Sequence, residues 1–173
     1  MQKGSVIISL LLLISLGFTQ RLLGQDESEI RTMKVTARAV VVENLMLVTI
    51  RDFDLINPRP EGSRIFVSPL NSSYAGQFRI TGSSRSSVRV TYLISEDIQE
   101  ANGNGGIVNA RYILSGFALD NQFQSLLYAP TGEFNIQLGA EGSYFLWVGA
   151  ELDLSRALPG EYFSEFIIEL EYI

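Results

Sequence analysis

The chain reads as an all-β protein, an antiparallel β-sandwich behind a cleavable signal peptide, on three observations. Apolar and polar residues alternate with a period of two along most of its length, the pattern of half-buried strands. These runs are short, and Pro, Gly and Asn turn signals separate them at a spacing of about 8–12 residues, as in a two-sheet sandwich. The N-terminus carries one basic residue, Lys3, followed by a mostly apolar run from Val6 to Phe18. That run is roughly a dozen residues, whereas a membrane span needs about 20.

The expected organisation is a signal peptide over residues 1–24, a flexible acidic arm over 25–32 and a sandwich domain over 33–173. Asp26, Glu27 and Glu29 give the arm its acidity. The first strand is read from Val35, Ala37, Ala39 and Val41 alternating with Lys34, Thr36 and Arg38. Beyond Glu43-Asn44, the residues Met46, Val48 and Ile50 share one face. Asn57-Pro58-Arg59-Pro60-Glu61-Gly62 then stops any ladder, since proline donates no N–H. Short strands follow at 64–67 and 77–81, closed by Gly82-Ser83-Ser84. Val88, Val90, Tyr92 and Ile94 line one face of a strong strand. Residues 96–109 are acidic and then Gly/Asn-rich, and read as a loop. Further strands are expected at 110–116, 134–138 and 144–152, the last carrying the sole tryptophan, Trp147. The clearest element closes the chain: Tyr162, Ser164, Phe166, Ile168, Leu170 and Tyr172 on one face, and Phe163, Glu165, Ile167, Glu169 and Glu171 on the other.

Composition excludes several function classes. Without residues 1–24 the chain holds 11 basic against 19 acidic residues, a balance of −8. Such a domain is a poor partner for nucleic acid or an anionic membrane, both of which require positive charge on the protein. There is no Cys, so no disulfide, thiolate metal site or thiol nucleophile is available. There is no His, the commonest general base and transition-metal ligand. The reading is therefore of a non-catalytic protein without a cofactor, and without a stable membrane span once the signal is removed.

A few residues remain as candidates for chemistry. Asp52 and Asp54 are two apart, so on a strand both carboxylates would face one side and could share a hard cation. Glu96, Asp97, Glu100, Asn102 and Asn104 make an oxygen-rich loop, although its spacing is not that of an EF-hand. Ser83, Ser84, Ser86 and Ser87 would need a base, and after residue 24 the only lysine is Lys34. Tyr144, Trp147, Tyr162 and Phe163 could stack on a sugar, but alternation assigns most of them to the core, with Trp147 as a core anchor. Phe163 and Ile167, apolar on the face opposite the core set and separated by Glu165, mark a sheet edge or a subunit contact.

Three segments resemble a bacterial exported family catalogued as domain of unknown function 4402. They are Leu47-Val48-Thr49-Ile50-Arg51-Asp52-Phe53-Asp54-Leu55; Ala75-Gly76-Gln77-Phe78-Arg79-Ile80-Thr81-Gly82; and Val148-Gly149-Ala150-Glu151-Leu152, followed by Leu158-Pro159-Gly160-Glu161-Tyr162 and the last strand. The resemblance implies an immunoglobulin-like sandwich at the cell surface or envelope. The last strand also resembles the ending of chaperone–usher pilus subunits, with Tyr172 penultimate and Gly160 fourteenth from Ile173. Such endings imply pairing by β-augmentation. The cysteine pair and apolar N-terminal extension usual in those subunits are missing here. The expectation is a structural or adhesive protein of the periplasm, cell surface or extracellular space. Its partners would be itself or other envelope proteins, met through sheet edges, with Gly160, Phe163, Ile167 and Tyr172 as the interaction edge. The alternatives are a pilus-subunit-like assembly component and a glycan- or Ca²⁺-binding module.

Overall fold

The computed structural model describes residues 31–40, as backbone, and residues 44–173. The expected signal peptide, most of the arm and Val41 lie outside the described residues. Eleven strands follow in order: β1 (Arg31–Val40), β2 (Met46–Arg51), β3 (Arg64–Val67), β4 (Gly76–Thr81), β5 (Ser87–Tyr92), β6 (Ser95–Gln99), β7 (Ile107–Phe117), β8 (Leu126–Leu127), β9 (Glu133–Gln137), β10 (Ser143–Asp153) and β11 (Gly160–Tyr172). A single 3-10 turn, Gln122–Gln124, interrupts the path between β7 and β8. Among the described residues no helix is long and apolar enough to cross a membrane.

The strands form two sheets. The smaller has four strands in the order β1-β11-β5-β9; the larger has seven, along β2-β4-β10-β7-β6 with β3 and β8 added at its flanks. One continuous core lies between them, so the chain is all-β and sandwich-like. The period-two reading predicts much of that core. Val88, Val90 and Tyr92 of β5 and Tyr162, Phe166, Ile168 and Leu170 of β11 are buried, as are Leu146, Val148, Ala150 and Leu152 of β10. Each such side chain contributes about 1.5–3 kcal/mol of transfer free energy. Across the core, the rings of Tyr112 from β7 and Phe166 from β11 meet with centroids 4.3 Å apart.

The structure differs from the sequence reading in four places. Every pair is antiparallel except one: β1 runs parallel to β11, in register from Arg31 opposite Gly160 to Val40 opposite Glu169. No hairpin fixes the relative direction of two strands from opposite ends of a chain, so alternation cannot reveal it. Second, half of the expected loop at 96–109 is strand. β6 pairs with β7 from Ser95 opposite Arg111 to Gln99 opposite Ile107, leaving only residues 100–106 as the connection. Third, the face shared by Met46 and Val48 is the outer one. Leu45 and Leu47 are the residues that meet the core, and Met46 is 49% exposed. Fourth, Trp147 is buried but stands outside the central core, on the opposite side of β10 from Leu146 and Val148.

Candidate functional site

The expected interaction edge on β11 carries β1 along one side, from Gly160 to Glu169. β5 pairs with β11 from Ile168 to Tyr172, so strands flank it on both sides only at Ile168 and Glu169. Phe163 and Ile167 do project outward, 53% and 39% exposed. Their backbones, however, lie opposite Lys34 and Arg38 of β1. Tyr172 is partly buried against the core, and its hydroxyl accepts a hydrogen bond from the Ser83 N–H at 2.8 Å. It closes the 82–86 turn. Gly160 opens the strand opposite Arg31, and a side chain there would collide with the carboxylate of Glu100. The four expected residues are thus spread along one strand and form no single surface.

The Gly/Asn loop between β6 and β7 is organised around Glu100, which is 5% exposed. Its carboxylate accepts from the backbone N–H of Asn102 at 2.8 Å, the Asn102 amide at 3.0 Å and the backbone N–H of Asn104 at 3.2 Å. Burial raises the pKa of this carboxyl, but those hydrogen bonds outweigh burial and hold it below its ordinary value. The oxygens that would bind a cation therefore face N–H donors. Glu96 instead accepts from Tyr112 at 2.5 Å and from Ser164. Burial first, and then the Glu96 carboxylate, push the Tyr112 phenol well above its usual range. Asp97 accepts from the Asn109 amide and pairs with Arg156 at 3.5 Å. Among the described residues no three Asp or Glu side chains gather as a metal-ion site.

Beside this loop, the buried Tyr162 returns its hydroxyl to the backbone four residues upstream. It accepts from Leu158 N at 2.9 Å and donates to Leu158 O at 2.7 Å. A side chain at Gly106 would strike that hydroxyl, so glycine is required there by space.

The other candidates separate in the fold. β2 ends at Arg51, so Asp52 and Asp54 do not share a strand face. Asp54 caps the following turn, accepting from Ile56 N at 2.9 Å, Asn57 N at 3.1 Å and the Asn57 amide at 2.7 Å. Burial raises its pKa, but those bonds outweigh burial and hold it below its ordinary value. The serines of the 82–87 turn sit beside the C-terminal end of β11, because Val88 lies opposite Tyr172. Lys34 lies opposite Phe163, nine strand residues away, which is roughly 30 Å at the rise of an extended chain. Lys34 is therefore out of reach of these serines. Asn44, Ser83, Ser86, Ser87, Tyr172 and Ile173 do line an open cleft of about 410 Å³ at that end. The four candidate stacking aromatics are divided between the two sheets, Tyr144 and Trp147 on β10, and Tyr162 and Phe163 on β11.

One feature lay outside the sequence reading. Residues 118–125 leave β7 and fold over the outer face of the larger sheet, held there by an internal polar network. The Gln77 amide donates to Asp120 at 2.6 Å. Gln122 donates to the carbonyls of Pro69 and Ser72, both at 3.0 Å, and accepts from Arg51 at 3.1 Å. The buried hydroxyls of Ser115 and Ser125 lie 2.9 Å apart, the former donating to Pro69 O and the latter to Gln122 O. Trp147 lies in the same cross-strand row as Gln77 and Ser115, which explains its burial outside the main core. The excursion turns Gln122 and Ser125 inward and leaves Leu119, Phe123, Leu126 and Leu127 exposed, Phe123 by 81%. The signal available in the sequence is four large apolar residues within a Gln/Asn/Ser stretch that has no strand or helix period. Neither a protein-family model nor any curated protein sequence matches the chain.

Proposed function

We propose that this protein is a non-catalytic, exported component of a bacterial cell surface or envelope, with a structural or adhesive role exerted through sheet-edge contacts. The observation that carries this reading is the placement of β1. A ten-residue strand near the N-terminus closes one side of β11 in parallel, while the next strand, β2, belongs to the other sheet. A terminal strand of this kind is exchangeable: in a second copy it makes the same ladder, and its departure uncovers the backbone of β11 from Gly160 to Glu169. The ending that resembles a pilus subunit is the strand whose flank β1 covers. The hydroxyl of Tyr162, returned to the backbone at the start of its strand, supports an immunoglobulin-like topology, in which a tyrosine corner has this form. The apolar run from Val6 to Phe18 supports export.

The experiment expresses the full-length chain in a Gram-negative host and follows both its location and its assembly. The expected result is recovery in the envelope or medium, with a ladder of cross-linked species larger than a dimer. Ala37→Pro, which removes a donor from the middle of β1, should collapse that ladder while the fold of β2 to β11 survives by circular dichroism. Cytoplasmic retention would sink the export reading. A chain that forms no species beyond a dimer would sink the edge-assembly reading.

A further inference from the structure

An antiparallel sheet with one face on the core ordinarily turns polar side chains to water on the other. The seven-stranded sheet keeps this rule at one end, with Arg64, Asp97, Arg111 and Glu151, and departs from it at the other. Val48, Arg79, Phe145 and Phe117 stand in one row on its outer face, across β2, β4, β10 and β7, with Met46 beside them, half-exposed. Next to this row the 118–125 excursion rises as a ridge, pinned to the sheet by Gln77, Ser115 and Arg51. Its crest carries Leu119, 65% exposed, and Phe123.

We propose that this face is the interface of a two-fold homodimer, in which the ridge of each copy lies against the Val48–Phe145–Phe117 row of the other. Three arguments select a second copy as the occupant. The first is shape: each chain offers both a ridge and an adjoining row, so one rotation satisfies both contacts and closes the assembly. The second is area. With a whole aromatic presenting ~150–250 Å², the exposed share of the row, the ridge and neighbouring Leu127 comes to roughly 700 Å², close to the ~800 Å² that each partner buries in a stable complex.

The third argument is charge. Arg79 is exposed in the row and pairs with no carboxylate among the described residues, while Asp120 stands exposed on the ridge. Two-fold docking of ridge on row brings Arg79 of each copy toward Asp120 of the other. The acidic ladder that would repel a second copy, Glu161, Glu165, Glu169 and Glu171, is exposed on the opposite side of the molecule, on the smaller sheet. This dimer does not depend on β1, so it stands or falls independently of edge assembly.

The test is sedimentation velocity on the full-length chain, purified as its producing cell leaves it, over a micromolar to sub-millimolar range. The wild type should reach a dimer and bind no phosphatidylcholine vesicles. Phe123→Ser removes an exposed ring without touching the fold, and should weaken the dimer on the order of tenfold or more. Arg79→Glu should weaken it by a similar factor, since it sets like charges across the interface twice. A wild type that stays monomeric overturns the proposal, whether or not it binds vesicles. So does a dimer indifferent to Phe123→Ser and Arg79→Glu.

Discussion

At the scale of single residues, the informative side chains are those that complete backbone hydrogen bonding where a loop meets the sheets. Tyr162 is almost fully buried and satisfies both the N–H and the carbonyl of Leu158. Tyr162→Phe leaves those two groups unpaired at almost no cost in packing. The expected loss is about 1–2 kcal/mol, read from the midpoint shift in urea unfolding. Gly106→Ala acts on the same contact from the other side and should also destabilise, because an added methyl meets the Tyr162 hydroxyl and the backbone of Leu158. If both variants together cost no more than the worse one alone, the two residues act through one contact. Alternation along the last strand makes Tyr162 legible as a core residue. Its hydroxyl partner is not legible, because a bond to backbone four residues away leaves no trace in periodicity. Phe163 and Ile167 show the complementary limit. Their outward direction follows from the pleat, but whether the strand beneath them is an edge depends on what lies beside it.

At the scale of elements, strands with a clean apolar face were readable and those without one were not. β5 buries every second residue, and β11 does so at Tyr162, Phe166, Ile168 and Leu170. β6 buries only Ile98, and its acidic residues resemble loop composition although two of them accept specific hydrogen bonds. The 118–125 excursion is the extreme case, since its position is set by the side-chain hydrogen bonds of Gln122, Asp120 and Ser125 and not by apolar burial. Polar clasps of this type are local, so the excursion should open without unfolding the sandwich. Gln122→Ala removes two donated bonds and one accepted bond. It should shift the emission of Trp147, the only tryptophan in the chain, to the red and admit acrylamide quenching, while the urea midpoint moves by less than about 1 kcal/mol equivalent. Red-shifted emission that arrives only with global unfolding would show the excursion to be part of the main cooperative unit.

At the scale of the whole molecule, the chain is strongly acidic, and two effects oppose each other as pH falls. Protonation relieves general repulsion among carboxylates such as the exposed ladder on β11, which favours the folded state. It also removes the charge from carboxyls that the fold holds ionised. Asp54 and Glu100 are lowered by hydrogen bonds that outweigh burial, and Asp153 is lowered chiefly by hydrogen bonds from Ser155. For a group whose folded pKa is depressed, the unfolded state takes up its proton first. Its contribution is therefore complete above the unfolded value and is lost as pH falls through the folded one. Repulsion between exposed charges is screened beyond about 8 Å at physiological salt, whereas hydrogen bonds at contact distance are not. The local effect should therefore win at about 0.15 M salt, with stability level between roughly pH 7 and 5 and falling below about pH 4.5, where ordinary carboxyls begin to protonate. Glu100→Gln tests the assignment. It places an amide donor against the N–H groups of Asn102 and Asn104, so the thermal midpoint at pH 7 should drop. The variant should then lose less on acidification than the wild type, because one of the three depressed carboxyls is gone. An acid slope that Glu100→Gln leaves unchanged would remove this loop from the pH response and leave Asp54 and Asp153 to carry it.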